Sequence, residues 1–225
     1  MDDFLYTSEL KDKFKFPFDG IETINRNCGT LWQDMFVTAV LNGKKNGTYF
    51  EIGAAEPFWM SNTAMLEQLF SWTGVSLELE YAKVQRFISE RKNPCYTANA
   101  LLVDYKSMLS RANLLGVVDY LSIDIEPPEN TLQALKRLPH DLVKFRVITF
   151  EHDLYNGGQA PNVRTESRRF LKELGYHLVV NDVGLNGKSV EDWWVHPELV
   201  DMDRIDMLQC DNETMINFND YMVAQ

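Results

Sequence analysis

Residues 49–55 read Tyr-Phe-Glu-Ile-Gly-Ala-Ala, a short apolar strand with an acidic residue near its end that runs straight into a glycine turn. A strand, a glycine turn and a following helix place free backbone N–H groups and a bare backbone edge beside the carboxyl end of a sheet, where a nucleotide-like ligand lies. This segment is therefore the expected floor of a ligand pocket. The dinucleotide fingerprint G-x-G-x-x-G is missing, because Ala55, Pro57 and Trp59 follow Gly53. That absence disfavours a bound pyrophosphate.

Outward from this stretch, Leu31, Met35, Phe36, Ala39 and Val40 recur at helical spacing and stop at Asn42-Gly43, which predicts an amphipathic helix before the first strand. Strand-like runs follow at 48–53, 74–80, 96–103, 118–124, 145–151, 176–181 and 190–195. Helical patterns alternate with them near 61–70, 82–90, 105–114, 130–138 and 164–174, with Ser61 as the N-cap of the first. Strand-then-helix alternation predicts an α/β three-layer sandwich around a mostly parallel sheet. Residues 182–189, between the last two runs, are too few for a helical crossover and rich in turn formers, so those runs pair antiparallel. Residues 1–45 read as an N-terminal extension and helix packed on the core, 46–200 as the main domain, and 201–225 as a weakly patterned tail whose role is open.

At 225 residues and 45% apolar, the chain can bury one substantial core. A formal charge of −11 with no basic stripe argues against a nucleic-acid partner and for a neutral or cationic small molecule. Cys28, Cys95 and Cys210 are widely spaced, with no C-x-x-C pair, and read as ordinary thiols of a reducing compartment. The start, Met-Asp-Asp, has no basic flank leading into an apolar run, and no apolar run approaches about 18 residues, so a cytoplasmic protein with no membrane partner is expected. A homo-oligomer is compatible with the composition.

Ligands of open α/β sheets lie outside the carboxyl ends of the strands, so the polar residues there are the candidates. They are Glu51 and Gly53 after the first strand, Glu78 and Glu80 on the second, Asn99 near the third, Asp124 and Glu126 after the fourth, and Glu151, His152 and Asp153 after the fifth. Glu80 stands where an acidic residue accepts both hydroxyls of a ribose, with Glu78 as the alternative partner. Asp124 and Glu126 at their spacing suit a carboxylate pair in which repulsion lifts one pKa and leaves a base near neutrality. Their other reading is helix capping or pairing with Lys136 or Arg137. His152 between two acids is either a general base or a plain hydrogen-bonding residue. Asp124, Glu126, Glu151 and His152 together offer ligands for a hard divalent cation, but no ligand spacing supports this and no metal is expected. Trp193, Trp194 and His196 end the last strand, as an aromatic wall for a substrate or as core. Nucleophile-elbow, P-loop and H-E-x-x-H motifs do not occur, which removes the main support for hydrolase and triphosphatase chemistry.

Four stretches in order carry a further likeness: Gln33 to Val37 leading to Asn46 to Ala54; Ser61-Asn62-Thr63; Gly74 to Glu80; and Asp119 to Glu126, with the late Glu191 to Val195. In these the chain resembles the FkbM-type family of S-adenosylmethionine-dependent methyltransferases, over about residues 30 to 197. The resemblance implies the Rossmann-like class I methyltransferase fold, with seven strands in the order 3-2-1-4-5-7-6 and the seventh antiparallel. It also implies S-adenosyl-L-methionine as cofactor and methylation of a hydroxyl on a sugar or glycosylated small molecule. By similarity, Glu51, Gly53, Ala54 and Ala55 lie against the methionine part, with Ser61 and Asn62 in the following loop. Glu80 holds the ribose, Asn99 and Ala100 border the adenine, and Asp124 closes the pocket near the transferred methyl; Tyr81 stands where the family often has proline and is read instead as stacking on the adenine. A degenerate binding module of this fold and an NAD-linked oxidoreductase remain the rival readings.

Overall fold

Successive side chains on a strand leave on opposite faces, and the central strands here are apolar at both alternate sets, so both faces must be covered. In the computed structural model, which describes residues 12–224, one sheet contains β1 (Thr48–Ile52), β2 (Thr73–Glu78), β3 (Cys95–Thr97), β4 (Gly116–Ile123), β5 (Val143–Glu151), β6 (His177–Leu185), β7 (Lys188–Val195) and β8 (Ile216–Asn217). Their order is β3-β2-β1-β4-β5-β7-β6-β8. The first five strands pair in parallel, while β7 runs antiparallel to both β5 and β6. This is the expected seven-strand order with one further edge strand.

The helices divide between the faces. One core joins Tyr49, Tyr120, Val147 and Trp193 to α1 (Gln33–Val40), α2 (Ala64–Phe70), α7 (Met202–Leu208) and α8 (Phe218–Met222). The other joins the alternate residues Phe50, Leu121, Ile148 and Trp194 to α4 (Tyr105–Arg111), α5 (Pro128–Arg137) and α6 (Ala160–Glu173). A small third cluster seats α3 (Tyr81–Glu90) through Val84 and Phe87 on Ala54 and Cys95. Among the described residues no helix is long and apolar enough to cross a membrane, and all three cysteines are free thiols.

Three local expectations change. The helix before β1 is buried at every position rather than amphipathic, because the C-terminal segment covers its outer side. There Phe218 packs on Trp32 at 5.5 Å and Tyr221 on Trp193 at 5.9 Å, while Phe36 stacks on Trp193 at 4.4 Å. The third strand is only Cys95–Thr97, not 96–103, because Asn99 folds its side chain back to accept the Leu101 N–H at 2.9 Å and turns the chain. The expected loop over 182–189 shrinks to a two-residue turn. Asn186 (φ 53°) and Gly187 (φ 76°) both take the left-handed conformation that a tight hairpin needs, and register shifts let β6 continue to Leu185.

At the amino end of the sheet Asp119, on β4, is enclosed by compensating groups. It accepts from Lys44 Nζ at 2.6 Å and from the Thr48 N–H at 2.9 Å, and Arg146 Nε lies 2.9 Å away. The exposed end of the sheet chemistry is therefore the opposite one.

Candidate functional site

A cleft of about 370 Å³ opens outside the carboxyl ends of β1, β2 and β4, walled by Gly53, Glu78, Asn99, Ala100, Asp124 and Glu126 among others. Gly53 has φ 92°, and a Cβ there would stand 1.7 Å from the carbonyl oxygen of Asp124. Only glycine lets the turn approach the exit of β4 so closely. The turn does not present free N–H groups, contrary to the sequence expectation. Gly53 and Ala54 both donate to the Leu77 carbonyl, at 2.9 and 3.0 Å, and Ala55 donates to Glu78 Oε2 at 2.8 Å. Recognition in this cleft must come from side chains and from the bare edge at Gly53.

Glu78, the last residue of β2, is the acid built into the wall. Its Oε1 accepts from the Glu80 N–H at 2.8 Å while its Oε2 holds Ala55, so each oxygen keeps a lone pair for another donor. Glu80 lines the same cleft at its rim, where its side chain is 62% exposed and pairs with Lys83 at 2.6 Å. The strand ends two residues earlier than the sequence pattern suggested, so Glu78 sits at the strand end and Glu80 at the start of α3. Tyr81 is 66% exposed on the first turn of α3 and does not line the cleft, nor does Pro57. Asn99 and Ala100 do, because the turn after β3 folds them over it.

Beside this cleft lies a second cavity of about 330 Å³, whose walls include Asp124, Glu151, Asn62, Gln33 and Tyr155. Asp124 belongs to both. It is the centre of a group of acids with no ion-paired Lys or Arg among the described residues. Burial raises the Asp124 pKa, and a hydrogen bond from Glu151 partly offsets this. Glu151 is lifted well above the usual carboxylate range by burial and then by the charge of Asp124, so it keeps its proton and the two share it. Glu126 is raised by burial and by Asp153. Asp153 is 2% exposed, and its Oδ1 has no hydrogen-bond partner. Glu191, directly opposite Glu151 on β7, is pushed up to about 8 by burial, despite a 2.5 Å bond from Trp193 Nε1.

Three expected site residues are structural instead. Glu51 is 2% exposed and lies outside the cleft wall, where it accepts from Ser76 Oγ at 2.6 Å and Thr63 Oγ1 at 3.0 Å. Ser61 is buried and accepts the first N–H of α2, from Ala64, at 3.2 Å. Ala54 is buried against α3. Asn62 reaches the second cavity and donates to Ser122 Oγ at 3.0 Å. The loop that carries them is held by Arg91, which the sequence reading missed. Its fully buried guanidinium donates to the Pro57 carbonyl at 2.9 Å, Thr63 Oγ1 at 3.1 Å, Ser61 Oγ at 3.2 Å and Glu67 Oε2 at 2.9 Å.

His152 is not with the catalytic candidates. It follows Glu151 and so faces the other side of the sheet, fully buried, with Nε2 3.5 Å from Asp192 and 3.8 Å from Asp182. These three converge closely enough for a metal, but Arg168 binds Asp192 through 2.6 and 2.7 Å contacts and Arg164 binds Asp182 through 2.5 and 2.7 Å contacts. Two arginines already neutralise both acids, so a dication would have to displace a guanidinium fork. The mixed ligand set of Asp124, Glu126, Glu151 and His152 is not brought together either.

The proposed aromatic wall is core. Trp193 and Trp194 are 0% exposed and project into the two opposite clusters, and His196 is buried at 3%, edge-on to Tyr176. The reason is strand direction: β7 is antiparallel, so its last residues lie at the amino ends of its neighbours, with His196 N–H on the Arg146 carbonyl. Of its first residues, Lys188 and Val190 line the second cavity, and Glu191 lies opposite Glu151. That was readable from the antiparallel assignment, which puts Glu191 and not His196 at the ligand end.

A larger cavity, about 750 Å³, lies between β2, β3 and α4, but its one acid, Asp104, is occupied as the N-cap of α4 through the Ser107 N–H. The chemistry is at Asp124.

No protein-family model matches the chain, and no curated protein matches it. Solved structures do. A provisionally assigned O-methyltransferase from Klebsiella pneumoniae superposes with a TM-score of 0.52 at 15% identity, over 73% of this chain and 79% of that one. A provisionally assigned rRNA methylase from Clostridium thermocellum gives 0.50 at 12%, over 76% and 99%. The fibrillarin of Aeropyrum pernix, solved with natively bound S-adenosyl-L-methionine, gives 0.50 at 12%, over 74% of each chain. At such identities the likeness is one of fold. The chain has the class I S-adenosylmethionine-dependent methyltransferase fold, with β7 antiparallel.

Proposed function

We propose that this chain is an S-adenosylmethionine-dependent O-methyltransferase of the FkbM type that its sequence resembles, acting on a hydroxyl of a small molecule or glycan. One observation carries the reading: Asp124 stands in the wall of two adjoining cavities, one shaped around Gly53 and Glu78 and one containing Glu151. A transferase needs two sites that meet at a group able to take a proton.

The residues fit the cofactor. Glu78 retains a lone pair on each oxygen for the two ribose hydroxyls, Asn99 and Ala100 border the adenine, and Gly53 lines the cleft where the methionine part would lie. The acids without cationic partners favour a positive ligand. When bound, the cofactor supplies a methyl group on a positively charged sulfur. Asp124 and Glu151 share one proton, so one carboxylate of the pair is ionised and can take the proton of the acceptor hydroxyl. With the cofactor held by Glu78, Asn99 and Ala100, Asp124 would face the acceptor hydroxyl and take its proton as the oxygen is methylated. Asn62, Gln33 and Tyr155 surround the place where that hydroxyl must lie.

Calorimetric titration with S-adenosylhomocysteine and with NAD tests the class: the first should bind with micromolar affinity and the second should not. Tighter binding of NAD would replace the proposal by oxidoreductase chemistry. Normal S-adenosylhomocysteine binding with no methylated product across a broad panel of alcohols and glycosides, followed by mass spectrometry, would leave a binding module.

A further inference from the structure

The cavity beside Asp124 does not end at its own walls. It continues into a groove of about 700 Å³, with Thr30, Met60, Leu185 and Asn186 common to both. The groove adds Phe58 and Trp59, consecutive with Met60, so three large apolar side chains in a row face one channel. Trp59 is 56% and Met60 47% exposed. Single exposed apolar residues are ordinary, but a contiguous set lining a concave surface marks a ligand-binding wall. Met60 also has φ 62°, a left-handed conformation in which a residue with a side chain is strained. Arg91 holds the two ends of this stretch, at the Pro57 carbonyl and at Ser61. The opposite side is the β6–β7 turn, whose Asn186-Gly187 geometry places Leu185 and Asn186 on the rim.

We propose that this two-part crevice binds an acceptor in two parts: a hydroxyl-bearing end without negative charge, because Asp124 and Glu151 line its cavity, and a flat apolar ring body that lies along Phe58, Trp59 and Met60. The inference rests on the methyl-transfer reading for which cavity holds the hydroxyl, and adds the class of molecule attached to it. The inner cavity at about 330 Å³ accommodates one hydroxylated ring; the outer groove, twice that size, has an apolar wall that a bare sugar would leave exposed to water.

The test uses two neutral probes that differ only in the ring body, methyl β-D-glucopyranoside and 2-naphthyl β-D-glucopyranoside, titrated calorimetrically into full-length protein saturated with S-adenosylhomocysteine. The naphthyl compound should bind at least 10-fold more tightly, and Trp59→Ala and Met60→Ser should each remove most of that advantage while leaving the affinity for S-adenosylhomocysteine unchanged. Equal affinity for the two probes, no binding of the naphthyl compound, or an advantage that survives both substitutions would overturn the proposal. Because S-adenosylhomocysteine binding is measured in the same samples, its absence would instead count against the cofactor reading. Circular dichroism of both variants separates loss of the groove from loss of the fold.

Discussion

Asp119 lies within β4 level with the start of β1, Asp124 just past the carboxyl end of β4, and the fold treats them in opposite ways. At the amino end Asp119 is enclosed by Lys44, Arg146 and the Thr48 N–H. At the carboxyl end Asp124 meets Glu151, Asp153 and Glu78, and its carboxyl is raised rather than neutralised by a cation. The pair Asp182 and Asp192 sides with Asp119: burial would lift both, yet Arg164 and Arg168 hold Asp182 far below the ordinary range and Arg168 holds Asp192 below it. Where an acid serves the architecture, the chain supplies its counter-charge. Around Asp124 it supplies none, and the compensation is left to protons and to whatever binds.

The comparison breaks first, if it is wrong, at Asp124 itself. Asp124→Asn is expected to lower kcat by about 10²- to 10⁴-fold, the range for loss of a positioned base. It should leave S-adenosylhomocysteine affinity within a few-fold and folding stability unchanged or improved, since a like-charge contact is removed. A variant that is destabilised yet keeps its kcat at a temperature where it is folded would put Asp124 in the same class as Asp119.

The next effect is on the pH dependence of stability. Glu191 has its ordinary value of 4.5 in the unfolded chain and about 8 in the folded one. Below 4.5 it is protonated in both states and its contribution is fully present; between 4.5 and 8 the unfolded chain ionises first, so stability falls as pH rises, by about 1.4 kcal/mol per unit. Urea denaturation across that window should show the decline, and Glu191→Gln should flatten it. Unchanged slopes in the variant would mean that this carboxyl is ionised in the native protein.

Asp119→Asn is the mirror experiment. It should destabilise the fold by roughly 2–4 kcal/mol, less than a fully buried pair because Lys44 and Arg146 are partly exposed, and leave kcat unaltered at a temperature where the variant is folded. The smallest effect sharpens the assignment within the cleft. Glu78→Gln should weaken S-adenosylhomocysteine binding by about 10- to 100-fold, as for loss of charge-assisted hydrogen bonds, whereas Glu80→Gln should change it less than about two-fold. The reverse ranking would return the ribose role to Glu80.

Much of this fold can be read along the chain. Strand-helix alternation, the glycine after Ile52 and the Asn-Gly turn before Lys188 are local signals, written in stretches of a few residues. Even so, the site was only half legible. Gly53, Asn99, Ala100, Asp124, Glu126 and Glu151 come from strand ends and reach the cavities. Trp193, Trp194 and His196 went to the core because the direction of β7 reverses which of its ends faces a ligand. His152 went to the arginine network because neighbours on a strand point opposite ways. Glu78 and Glu80 both line the cleft, but β2 stops at Glu78, so Glu78 is held by backbone N–H groups while Glu80 pairs with Lys83 at the rim, a difference that composition does not mark.

By itself the sequence determined the order of elements, the parallel sheet with its late antiparallel pair, and the glycine that lets the first turn close on β4. Period and turn chemistry act over spans short enough to be seen without knowing what lies opposite. Only the tertiary structure decided which acids keep their protons, that Arg91 clasps the loop beyond Gly53, and that Glu191 comes to lie opposite Glu151. Each of those depends on groups brought together across the sheet, and the free energy of a buried charge is set by such neighbours and by the water they exclude.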